Sequence, residues 1–237
     1  MILYYVRHGD PIYNPDSLTE LGHRQAEALS KRFARYGLDE IYSSSSNRAQ
    51  LTAKPTAKLL GKDITVFDWA HENHAWGKMT VPKDGRRIWG FQDRETIEKF
   101  NSLQVFSLGK NWYDHPYFKD SEFKSFSNHI DEKADEFLLS LGYKHDRKNN
   151  VYKAVKPNAK KVALFAHQGI GMSILSSILD IPYPLFCTHF DLSHSSVTAI
   201  YFDEKVEYVI PKVLQLANDS HLYKEDINCK YNNMYEV

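Results

Sequence analysis

The chain has 237 residues, enough for one sizeable domain with a core that needs no disulfide staples. Its 42% hydrophobic and 25% charged content is ordinary for a globular protein and excludes a disordered chain. The 30 basic and 30 acidic side chains cancel, which excludes the global positive field that nucleic acid or an anionic membrane would require. Cys187 and Cys229 form neither a framework nor a metal spacing and read as free thiols in a reducing compartment. No apolar stretch is long enough for a bilayer, and the run before Arg7 is too short for a signal peptide. The expectation is a soluble, cytoplasmic protein with no nucleic-acid or membrane partner.

Ile2 to Val6 is a continuous β-branched and aromatic run, the pattern of a strand buried on both faces. Leu21, Ala28, Leu29, Phe33 and Tyr36 then recur at helical spacing, with Thr19 placed to cap the start and Gly37 just past the end. Ile41-Tyr42 predicts a second strand. After the serines 43–46, a helix is predicted from about Asn47 to Leu60, with Pro55 expected to kink it or delay its start. Residues 78–160 read as a mainly helical insertion on a single domain spanning 1–237, covering its catalytic end and walling the substrate site. Within it, Trp89, Phe91, Trp112 and Tyr117 suggest a small satellite core, Phe123 to Leu141 a long amphipathic helix, and 143–153 a hairpin. Val162 to Ala166 is another buried strand, followed by an apolar helix ending before Pro182, and Ser196 to Phe202 alternates as a last strand. Strands alternating with helices give an α/β fold with a mostly parallel sheet and helices on both faces.

Three segments end alike. The first strand runs into Arg7-His8-Gly9, the strand at 162–166 into His167-Gln168-Gly169, and Ile41-Tyr42 leads through serines to Arg48 at a helix start. Ligands of open α/β sheets sit beyond the carboxyl ends of the strands, so two arginines and two histidines can converge on one pocket. Helix N-termini after Gly9 and Gly169 would add amide donors for an anion, and these glycines would let backbone approach it. The set suits phosphoryl transfer through histidine. His8 would be the neutral nucleophile, Arg7, Arg48 and His167 would spread positive charge over the phosphoryl oxygens, and Glu72, in an apolar-flanked loop, would stay protonated to serve the leaving group.

Val6-Arg7-His8-Gly9 with Asn14, Ser44-x-x-x-Arg48-Ala49-x-x-Thr52-Ala53, Glu72 ahead of Trp76-Gly77, and Ala166-His167-Gln168-Gly169 resemble the histidine phosphatase superfamily, in its phosphoglycerate mutase-like branch. Leu18-Thr19-x-x-Gly22-x-x-Gln25-Ala26 and Asn218-Asp219-x-His221-Leu222 also match, in the usual order; together the likeness covers about 1–77 and 160–222. The resemblance implies hydrolysis of a small-molecule phosphomonoester through a phosphohistidine on His8, with Glu72 as proton donor and no metal or other cofactor. It also implies that Asn14 and the amide of Gln168 touch the phosphate. Where the family's mutases carry a longer Glu-Arg-His-Tyr-Gly-type signature, this chain reads His71-Glu72-Asn73-His74-Ala75, which favours hydrolysis over mutase transfer. The alternatives are phosphoglycerate mutase-type transfer and a non-catalytic phospho-ligand module.

Other features read as structural. The spacing of His71 and His74 does not fit a metal helix, Ser43 to Ser46 read as a strand-to-helix turn, and His189, His194 and His221 read as satisfied histidines. Arg86 and Arg87 read as a solvated face. Oligomeric state has no sequence signal.

Overall fold

The apolar N-terminal run forms β1 (Ile2–Arg7). A hairpin of β2 (Pro11–Tyr13) and β3 (Asp16–Leu18) follows, then α1 (Glu20–Tyr36), β4 (Glu40–Ser44), α2 (Asn47–Leu60) and β5 (Ile64–Phe67). Next come α3 (Glu72–Lys78), the hairpin β6 (Thr80–Lys83) and β7 (Arg86–Trp89), α4 (Arg94–Phe100), α5 (Leu103–Leu108) and α6 (Phe123–Ser140). The hairpin β8 (Tyr143–Asp146) and β9 (Val151–Ala154) leads to β10 (Lys161–Ala166), α7 (Gly169–Leu179) and α8 (Tyr183–His189). β11 (Val197–Tyr201), β12 (Tyr208–Val209), β13 (Lys212–Asn218) and α9 (Ser220–Lys224) complete the elements of this computed structural model, which describes residues 1–232.

The central sheet has the order β13-β11-β1-β10-β4-β5. β1, β10, β4 and β5 run parallel, and β11 pairs antiparallel with both β1 and β13. Alternation along β1 divides the core in two. Tyr4 and Val6 face Leu29, Phe33 and Ala53 of α1 and α2. Leu3 and Tyr5 belong to the cluster of Ile130, Phe137, Ile170 and Ile174 from α6 and α7. The expected α/β architecture with helices on both faces is therefore the one observed.

Local capping chemistry follows the sequence. Thr19 accepts the Gly22 amide at 3.0 Å and opens α1, and the amide of Gly37 donates to Phe33 O at 2.8 Å and closes it. Helix α2 begins at Asn47 and carries Pro55 in its interior, so the expected late start does not occur. The aromatic middle segment also departs from expectation. Trp89 and Trp112 are not a satellite cluster: they join the same buried cluster as Leu3, Leu164 and Ile170. Trp112, 2% exposed, makes ring contacts with Phe100, Phe118, Phe123 and Tyr183, tying the middle segment to α8. Tyr117 stays partly exposed.

At the far side of α7, His145 on β8 is fully buried between two carboxylates. Nδ1 meets Asp135 of α6 at 2.8 Å and Nε2 meets Asp180, just past α7, at 3.0 Å. A carboxylate only accepts, so both ring nitrogens must donate, and the ring is an imidazolium. Burial alone would lower its pKa, but the two carboxylates outweigh burial and the neighbouring Arg147 and raise it. Tyr152 stacks on the ring at 4.0 Å, Arg147 also binds Asp135, and Lys110 binds Asp180. A raised folded pKa means that this contribution is complete below pH 6.5 and is lost as pH rises through the folded value. Denaturant unfolding of the wild type should weaken across that window. His145→Gln should flatten the dependence and cost on the order of 2 kcal/mol at pH 6, because both aspartates keep another cation; an unchanged slope would reject this account.

Candidate active site

Parallel pairing sets Arg7 of β1 opposite Ala166 of β10, so the residues that follow, His8 and His167, leave adjacent strand ends together. The His8 amide donates to Ala166 O at 3.0 Å, and the two imidazoles meet edge to face with centroids 5.1 Å apart. Arg48, the second residue of α2, reaches the same place. Arg7, His8, Arg48, Glu72 and Gln168 all line one open cavity of about 580 Å³. His167 touches His8 but is not among the residues lining the cavity. Asn14 is exposed in the β2–β3 turn and lies outside the cavity lining; its neighbours Tyr13 and Asp16 line it instead.

The His8 ring is oriented by its own turn. Nδ1 lies 2.6 Å from Gly9 O, and a carbonyl only accepts, so Nδ1 carries the proton and Nε2 keeps the lone pair. Burial, then His167, Arg7 and Arg48, push its pKa well below 6.5, so the ring is neutral. His167 is fixed on both sides. The Tyr5 hydroxyl donates to its carbonyl at 2.6 Å and accepts its amide at 3.2 Å, and Ser44 Oγ lies 2.9 Å from its Nε2. Burial and then Arg48 lower its pKa well below 6.5.

The arginines present unspent donors. Arg7 is fully buried and gives one nitrogen to Leu192 O, while its Nε and Nη2 have no partner among the described residues. Arg48 donates Nη1 to Asp16 at 2.8 Å, and its Nε is likewise unpartnered. Buried donors without acceptors are costly unless an anion is meant to meet them.

Glu72 opens α3 instead of sitting in a loop. Its carboxylate reaches the start of α7, accepting the amides of Gly169 and Ile170 at 2.8 Å each. Burial raises its pKa, with the two amides, Arg48 and Arg7 opposing; the net shift is upward. This clamp corrects one expectation: the α7 N-terminus holds a protein carboxylate. A second correction concerns Gly9, which is followed by the hairpin β2–β3 and not by a helix. Neither glycine makes room for a ligand. A Cβ on Gly9 would lie 2.7 Å from Gly22 O, and one on Gly169 2.3 Å from Trp89 Cη2, so both permit packing.

Several site residues escaped the sequence reading. Ser44 and Ser46 are more than a turn: Ser44 holds His167, and Ser46 Oγ donates to Asp16 at 2.9 Å. His71 caps α3, lines the cavity and sits 5.9 Å from the His167 ring. His194 stacks beside His8 at 5.8 Å, its pKa pulled down to about 3 by burial and Arg7. Asn232 lines the cavity and bridges His194 (2.7 Å) to the Tyr13 hydroxyl (3.0 Å). His74 pairs with Asp68 at 3.1 Å. His221 meets Ser195 Oγ at 3.0 Å, a structural contact.

Residues 3–97 match the sequence model of the histidine phosphatase superfamily (branch 1). A putative phosphoserine phosphatase 2 of Hydrogenobacter thermophilus is 32% identical over 104 residues, 37% of this chain and 51% of that protein. A probable phosphoglycerate mutase GpmB of Yersinia pestis is 40% identical over 68 residues, 25% of this chain and 32% of that one. The chain thus spans about half the length of the first relative and about a third of the second. By fold, phosphoserine phosphatase of Entamoeba histolytica in complex with 3-phosphoglyceric acid superposes with a TM-score of 0.59 at 18% identity, covering 93% of this chain and 98% of that chain. The mycobacterial glucosyl-3-phosphoglycerate phosphatase complexed with VO3 gives 0.57 at 17% identity, covering 90% and 97%. Residues 3–97 are thus similar to the histidine phosphatase superfamily, and the chain as a whole shares the fold of these solved phosphatases. Among the described residues no helix is long and apolar enough to cross a membrane.

Gly169→Ala drives a methyl into Trp89 at the foot of the Glu72 clamp. It should destabilise the protein by about 1–3 kcal/mol, read by thermal unfolding. A neutral result would show that Trp89 moves freely.

Proposed function

We propose that this chain hydrolyses a phosphate monoester through a phosphohistidine on His8. What carries the reading is the pairing of a neutral imidazole whose Nε2 keeps its lone pair with three buried guanidinium nitrogens that lack an acceptor among the described residues, beside the same cavity. His8 Nε2 attacks phosphorus. Arg7, Arg48 and His167 meet the charge that develops on the phosphoryl oxygens, worth most in a site shielded from water. Ser44 Oγ, already accepting the Ser46 amide at 3.2 Å, donates to His167 Nε2, which puts the imidazole proton on the unpartnered Nδ1 as a further donor.

Glu72 protonates the leaving oxygen and then, as a base, takes a proton from the water that attacks phosphohistidine. Its raised pKa rises again when a phosphate dianion enters, so the acid form gains population when it is needed. Every group in this scheme comes from the chain, and activity in the presence of EDTA is expected. Gln168 lines the cavity and fits a phosphate contact; Asn14, outside it, is not assigned one.

Two readouts test the scheme. Rapid quench should trap an alkali-stable, acid-labile phosphoryl group on wild type and none on His8→Ala, whose turnover should fall roughly 10⁴-fold or more. Appreciable turnover by His8→Ala would overturn the proposal. For the pH dependence, His8 must be deprotonated and its pKa lies below 6.5, while Glu72 must be protonated and its pKa lies above 4.5. Activity should therefore climb as His8 loses its proton and fall as Glu72 loses its own. Glu72→Gln should lower kcat by roughly 10²–10⁴ and remove the falling limb; a falling limb that persists would assign the acid elsewhere.

A further inference from the structure

The cavity is far larger than a phosphoryl group, and the walls beyond the histidines differ in chemistry from the phosphate end. Of the charged groups lining it, the cations are Arg7 and Arg48 and the acids are Asp16 and Glu72. Arg48 is already paired with Asp16, and the spare donors of both arginines belong to the phosphoryl site. His71, lowered by burial and by Arg48, adds no charge at neutral pH. Lys230 is nearby but holds Asp10 at 2.8 Å and does not line the cavity. The last five residues, Asn233 to Val237, contain no lysine or arginine. A leaving group carrying its own carboxylate would therefore lose water without gaining a cation.

The outer wall offers ring faces instead. Trp76 is four residues after Glu72, so acid and indole project from the same side of α3. Trp76 is 41% exposed at the cavity, edge-on to Trp89 at 5.1 Å, and Trp89 is backed by Phe91 stacked at 5.5 Å. An exposed indole held from behind by the buried Trp89 and the partly buried Phe91 is a surface to which a planar group can add with little loss of side-chain freedom. Asn73 and Gln92, both uncharged, line the same cavity.

We infer that the preferred substrate is a phosphomonoester whose leaving alcohol is uncharged and carries an aromatic or other planar ring, bound against Trp76. This rests on the phosphatase reading above and narrows it.

The test compares three alkyl phosphates, so that no phenol leaving group inflates the rate: 2-phenylethyl phosphate, ethyl phosphate and O-phospho-L-serine. Phosphate release by the full chain should show kcat/KM for 2-phenylethyl phosphate roughly five- to tenfold above ethyl phosphate, with O-phospho-L-serine no better than ethyl phosphate. Trp76→Ala should bring the phenylethyl-to-ethyl ratio close to one, chiefly through KM, and Trp76→Phe should restore part of it. A wild type that prefers O-phospho-L-serine, or a ratio unmoved in Trp76→Ala, overturns the inference and leaves the phosphatase reading standing. A wild type inert towards all three removes the phosphatase reading and the inference with it. Should Trp76→Ala fail to fold, the wild-type preference and Trp76→Phe decide.

Discussion

Parallel pairing of β1 with β10, with Arg7 opposite Ala166, is the constraint on which the site depends. Side chains alternate along a strand, so a slip of one residue would exchange the faces. Tyr5 would then leave the α6–α7 side, where its hydroxyl ties down the His167 backbone, and the contact between His8 and His167 would open. The register is held by the core as well as by the ladder, because Tyr4 and Val6 must face α1 and α2 while Leu3 and Tyr5 face α6 and α7. The same alternation that fills two hydrophobic layers therefore places the two imidazoles side by side.

A second dependence runs from Glu72 to α7. An isolated buried carboxylate would protonate outright, and one saturated by amides and guanidinium groups would be ionised near neutral pH with no proton to donate. Glu72 sits between these limits: burial pulls its pKa up, while Gly169, Ile170, Arg48 and Arg7 pull it down. The α7 amides also fix the carboxylate in position at both oxygens. That geometry explains why the middle segment cannot be separated from the catalytic end, since Trp89 seals the same turn against Gly169.

Most of the sheet and its flanking helices were legible because apolar period and capping chemistry are local. Thr19 and Gly37 bracket α1, and Ile2 to Val6 and Val162 to Ala166 announce strands buried on both faces. Arg7, His8, Arg48, Glu72 and Gln168 could be gathered because strand ends converge in this architecture and the motifs repeat the family's order. Other features depend on pairings between distant segments that leave no periodic trace. Asp16 finds Arg48 from 32 positions away, Ser44 finds His167 from 123, and Asn232 crosses 219 positions to Tyr13. The middle segment misled for a different reason. Its aromatic residues are dense but aperiodic, and only the fold reveals that Trp112 continues the main core.

Charge balance also bears on the proposed choice of hydrolysis over mutase-type transfer. A mutase must hold a phosphoglycerate through both its phosphoryl and its carboxylate group while the phosphoryl position changes, which calls for positive charge beyond the phosphoryl site. Here the two lining arginines are committed, one of them shared with Asp16, and the remaining wall is aromatic and amide. On the proposed reading, release of the dephosphorylated alcohol to solvent is easier when nothing ionic retains it, and water could then reach the phosphorylated histidine. A cavity proposed to bind its leaving group through ring faces would favour hydrolysis on the same physical grounds that it would disfavour a carboxylate.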